Sequence, residues 1–73
     1  MSPASRFYLQ QAANCAAAAA AAALDNQRQI QLRSRAVWLG LAEREIEVQT
    51  ARLTREQATR DERERTRQME TSA

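Results

Sequence analysis

The chain has 73 residues and a mass of 8.2 kDa, near the lower limit for a domain that buries a self-sufficient core. Sixteen residues are Ala, eleven Arg and eight Gln, none is Lys or His, and Gly and Pro occur once each. The length excludes multidomain catalytic architectures, and the composition is an alphabet of helix formers with almost nothing for turns.

The formal charge of +2 is unevenly spread. Residues 1–42 hold Arg6, Arg28, Arg33 and Arg35 against Asp25, net +3, whereas residues 43–73 hold seven Arg against eight acids, net −1. The positive charge is therefore local to the Arg28–Arg35 segment, and a pI near 9.5 is weak evidence for nucleic acid. A single cysteine, Cys15, makes no internal disulfide, which places the expected setting in the cytoplasm. The Ala12–Leu24 stretch is interrupted by Asn14, carries mostly weakly apolar Ala and is shorter than the roughly 20 apolar residues a bilayer requires. It lacks the leucine-like centre of an export signal, so neither a membrane partner nor export is expected.

Ser2 followed by Pro3 reads as an N-cap with proline in the first helical position. From Ala4 to Ala23 no residue is Gly, Pro or β-branched, so the first helix is expected over residues 3–23. Leu24-Asp25-Asn26 is the main punctuation, because Asp and Asn bond local backbone and favour turns and caps. A tight turn is expected at 24–26. One unbroken helix competes with it, since neither Gly nor Pro enforces the break.

The second helix is expected from about residue 27. Its only breaker is Gly40, tolerated inside a helix at about 1 kcal/mol relative to Ala. Two apolar stripes run along it: Ile30, Val37, Leu41 and Val48 on one face, and Leu32, Leu39, Ile46 and Leu53 every seven residues on roughly the opposite one. Beyond Leu53 the chain turns polar. Arg52, Glu56, Arg60 and Glu64 alternate in sign at four-residue steps, and Asp61 precedes Arg65 by four, the spacing of helix-stabilising pairs. Residues 54–73 are thus expected to be a solvated helical extension that frays towards Ala73.

The expected fold is all-α: an antiparallel helical hairpin over residues 1–53 with a long second helix. Reversal at residue 25 would set Trp38 level with Ala12, Leu41 with Leu9 and Ile30 with Ala20. Phe7, Tyr8 and Leu9 would pack on Val37, Trp38 and Leu41 at the open end, with the alanines at the closed end. On this ruler the first helix runs out opposite residue 47. Leu32, Leu39, Ile46, Val48 and Leu53 are therefore the expected protein interface, covered by a second copy or by a larger assembly in which the chain is an accessory or regulatory subunit. The heptad row suits a helix–helix seam, although its companion row of Arg35, Ala42 and Gln49 is polar for a coiled coil.

Catalytic and ligand-binding chemistry finds little material. Cys15 has no His to activate it, and in an alanine-rich helix it reads as a small buried hydrophobe. Glu43, Glu45 and Glu47 alternate at two-residue steps, which spreads them around a helix instead of converging them on one ion. No phosphate loop and no nucleophile–base set exists in the sequence. No enzyme activity, cofactor, metal or small-molecule substrate is expected. Arg28, Arg33 and Arg35, interleaved with Gln, make a nucleic-acid-binding regulator the alternative reading. Trp38 reads as the anchor of the hairpin core ahead of an interface hot spot.

The residues Phe7-Tyr8, Ala12 and Cys15, then Leu24, Asn26 and Arg28, then Leu32-Arg33-Ser34, Trp38 and Ala42 form a pattern, F-Y-x-x-x-A-x-x-C … L-x-N-x-R … L-R-S-x-x-x-W-x-x-x-A. It resembles a group of very short, uncharacterised alphaproteobacterial helical-hairpin proteins. The resemblance covers residues 5–45 and implies a helical hairpin, a GC-rich bacterial source and no particular activity. Members often carry a proline in the turn, where this chain has Asp25.

Overall fold

The computed structural model describes residues 1–72, and over them the chain is two α-helices without a strand: α1, Pro3–Ala21, and α2, Asp25–Ser72. The expected fraying towards Ala73 lies outside the described residues. The helices pack antiparallel as a hairpin, so the chain reverses and the single-helix alternative is discarded. α2 is 48 residues long against 19 for α1, which gives a rod of 74 × 14 × 12 Å.

α1 begins as the sequence dictates. Ser2, in extended backbone conformation, accepts a hydrogen bond on Oγ from the Ser5 amide at 3.0 Å, and Pro3 follows where an amide hydrogen has no partner to lose. Ser2 Oγ and Ser5 Oγ share a second bond at 2.9 Å, so the fully buried Ser5 hydroxyl is satisfied.

The turn falls two residues earlier than expected, at 22–24 instead of 24–26. Ala22 leaves the helix with ψ 130° while its amide still donates to the Ala19 carbonyl at 3.3 Å. The Leu24 carbonyl then accepts the first α2 bond, from the Arg28 amide at 3.1 Å. Asp25 is thus the first helical residue of α2 and lends its negative charge to the positive end of the helix dipole. Arg28 closes the turn from the other side, pairing with Asp25 at 3.5 Å and donating to the Ala22 carbonyl at 3.3 Å. Among the described residues none takes positive φ, so the turn needs no glycine.

The earlier turn shifts the register. Trp38 meets Phe7 and Tyr8, at ring-centroid distances of 5.8 and 6.0 Å, and does not sit level with Ala12. At the far end Met1 lies beside Ile46, Gln49 and Leu53. Between these contacts Ser5 comes level with Ala42, and both are sealed from solvent, at 0% and 1% exposure.

The seam is made of small and polar residues. On α1 it runs through Ser5, Ala12 and Ala19, all buried, with Tyr8, Cys15 and Ala22 half-buried between them. On α2 it runs through Gln31, Ser34, Trp38, Ala42, Glu45 and Gln49, spaced three and four apart as a helix–helix contact requires. Of the companion row of the sequence analysis, Ala42 and Gln49 belong to the contact line with α1, while Arg35 is exposed beside it. Small side chains permit the close backbone approach that an alanine helix needs in order to gain dispersion contacts.

From Thr50 to Thr71 every residue of α2 is exposed. Local bonds support this overhang: Thr54, Thr59, Thr66 and Thr71 each donate a hydroxyl to the carbonyl four residues earlier, and Gln57 donates to Asp61 at 3.0 Å. Arg65 pairs with Glu62 at 3.5 Å and not with Asp61 as expected, because Asp61 is engaged by Gln57. At this exposure either pairing adds only a few tenths of a kcal/mol.

Candidate protein-docking surface

With the seam assigned, the two apolar stripes fall on either side of it. Leu32, Leu39, Ile46 and Leu53 form one flank. Leu39 is half-buried, while Leu32, Ile46 and Leu53 keep 40%, 40% and 65% of their surface in solvent. Ile30, Val37, Leu41 and Val48 form the other, every one of them exposed. Phe7 extends that second flank with its ring half in solvent, because Trp38 and Tyr8 cover only part of it.

Of the five expected interface residues, Leu32, Ile46, Val48 and Leu53 are exposed, while Leu39 is half-buried within the hairpin. Four share one flank; Val48 belongs to the other. Two shallow grooves mark the ends of the four-residue flank. At one end Leu32 lies over Ala16 and Ala20 of α1, with Arg28 and Arg35 at the rim. At the other, Ile46 and Leu53 lie beside Met1.

The three arginines do not share one face: Arg28 and Arg35 flank the same groove, and Arg33 points elsewhere. Arg28 is engaged at the turn, and Arg33 and Arg35 stand exposed two residues apart, on different sides of α2. The alternating row Arg52, Glu56, Arg60 and Glu64 of the sequence analysis is part of a basic surface: Arg55, Arg63 and Arg67 join it on one side of the overhang. It continues the stripe that α1 occupies lower down, a relationship visible only once the seam is known.

Cys15 is a half-buried free thiol in the seam. Among the described residues no group of His, Cys, Asp or Glu is arranged to hold a metal ion, and no helix is long and apolar enough to cross a membrane. Every buried side-chain nitrogen and oxygen among the described residues has a hydrogen-bond partner. The polar part of the seam therefore carries no unsatisfied group aimed at a ligand.

No protein-family model, no curated protein and no solved structure matches the chain.

Proposed function

We propose that the protein is a non-catalytic interaction module whose aliphatic flank on α2 docks against another protein chain, as a homo-oligomer or as an accessory subunit of a larger assembly. The carrying observation is that Leu32, Leu39, Ile46 and Leu53 line one flank of the seam and, Leu39 apart, remain exposed.

Arg28 has a structural task in the turn and Arg33 and Arg35 share no face, so no observation favours the nucleic-acid alternative. Photo-crosslinking in cells tests the docking reading. A photoreactive residue replacing Ile46 should attach to one discrete protein species, and the same residue replacing Gln57 should not. Absence of any adduct at Ile46 contradicts the reading.

A further inference from the structure

The overhang of α2 carries its positive charge on one side. Arg52, Arg55, Arg60, Arg63 and Arg67 share that side with Glu56 and Glu64, net +3. The other charged residues between Arg52 and Arg67 are Arg65, Asp61 and Glu62, net −1. Each of these is engaged locally, Arg65 with Glu62 at 3.5 Å and Asp61 with Gln57 at 3.0 Å. None of the five guanidinium groups has an ion pair or a hydrogen bond among the described residues, although Glu56 and Glu64 stand at pairing distance in sequence. We propose that this stripe lies along the phosphate backbone of a nucleic-acid duplex. It uses neither the docking flank nor Arg28, Arg33 and Arg35, so it is independent of both readings of those residues.

Three features select a duplex backbone over other anionic partners. First, the stripe is linear. It runs about 22 Å from Arg52 to Arg67, a length over which one strand of a duplex presents about six phosphates. Second, it contains no apolar side chain, and Thr59 is its only uncharged member. A protein interface centres on desolvated apolar or aromatic anchors, whereas Arg and Thr side chains suffice for phosphate contacts. Third, the overhang has no aromatic residue on which an unpaired base could stack, since Phe7, Tyr8 and Trp38 all lie in the hairpin, so a single strand finds no platform. Access is open as well. Every residue from Thr50 to Thr71 is exposed, and a bare helix about 10 to 12 Å across fits along a major groove of about 12 Å.

Glu56 and Glu64 oppose the contact, because they bring negative charge towards the phosphates. Their removal should therefore strengthen binding, which a stripe without a polyanion does not predict.

Fluorescence anisotropy of a labelled, mixed-sequence DNA duplex titrated with the full chain tests the assignment, with an RNA duplex in parallel to decide which of the two binds more tightly. Affinity should fall with added salt at a logarithmic slope between about −3 and −5. Arg52→Gln/Arg60→Gln/Arg63→Gln should weaken binding at least about tenfold and reduce the slope by about 3. Arg33→Gln/Arg44→Gln/Arg65→Gln removes the same charge from elsewhere on α2 and should cost less than about threefold. Glu56→Gln/Glu64→Gln should tighten binding several-fold, and circular dichroism should show the helicity of the parent in all three variants. No binding of either duplex at low salt, or equal losses in the two arginine variants, overturns the proposal. Displacement of the duplex by polyglutamate as readily as by unlabelled duplex also overturns it, in favour of an acidic protein partner. None of these outcomes alters the adduct expected from the Ile46 probe.

Discussion

The indole of Trp38 stands at 88° to the phenyl ring of Phe7 with centroids 5.8 Å apart, an edge-to-face pair that Tyr8 extends by stacking on the indole at 6.0 Å. These contacts tie the start of α1 to the middle of α2 and hold the register of an otherwise featureless alanine seam. Trp38→Ala should therefore lower hairpin stability by about 2 kcal/mol, less than a fully buried Trp because the indole is only half covered. Thermal unfolding at fixed protein concentration, followed by circular dichroism, measures it; an unchanged midpoint contradicts the anchoring role.

Ala42 makes the opposite prediction about size. It is sealed at 1% exposure in the seam with α1. Ala42→Leu adds apolar surface to a site with no room for it and should cost about 1 to 3 kcal/mol through overpacking. If the variant were more stable than the parent, the small-residue seam would be misassigned.

Gly40 faces open space: a Cβ built there meets nothing within 4 Å. Gly40→Ala should raise stability by about 1 kcal/mol, since it removes backbone freedom from the unfolded chain and adds no clash. Denaturant titration of the two chains side by side provides the comparison.

Ser2→Ala removes the oxygen that accepts from the Ser5 amide at 3.0 Å and should cost about 1 kcal/mol. It also strips the Ser5 hydroxyl of its side-chain partner, so the loss should shrink in the Ser2→Ala/Ser5→Ala double variant. Equal losses in the single and double variants contradict the coupling.

Much of the architecture was legible in the sequence, for physical reasons that attach to particular residues. Ser2-Pro3 marks the start of α1 because the cap and the missing amide hydrogen act locally. The absence of Gly, Pro and β-branched residues before the turn makes that helix a matter of propensity. The turn was displaced because the same propensity argument extends the helix through Ala22 and Ala23. There, tertiary packing and the Asp25–Arg28 clasp override it. The seam was hidden for a different reason. Periodicity draws attention to large aliphatics, and here they line the flanks while Gln31, Ser34, Ala42, Glu45 and Gln49 make the contact with α1. An alanine helix packs closely only against small or flexible side chains, so Ala42 and Gln49, from the row too polar for a strong coiled coil, are among the residues that fit. The Leu32–Leu53 row is left on the flank of the hairpin contact, with Leu39 half-buried and the other three exposed.

The docking claim is tested most directly by photo-crosslinking from position 46, run in the otherwise unmodified chain and with Leu39→Glu and Leu53→Glu added. The account predicts one discrete adduct in the first, to a second copy or to another protein, and none in the second, with helicity kept in both. No adduct in the first, or one of equal yield after the two substitutions, would contradict it.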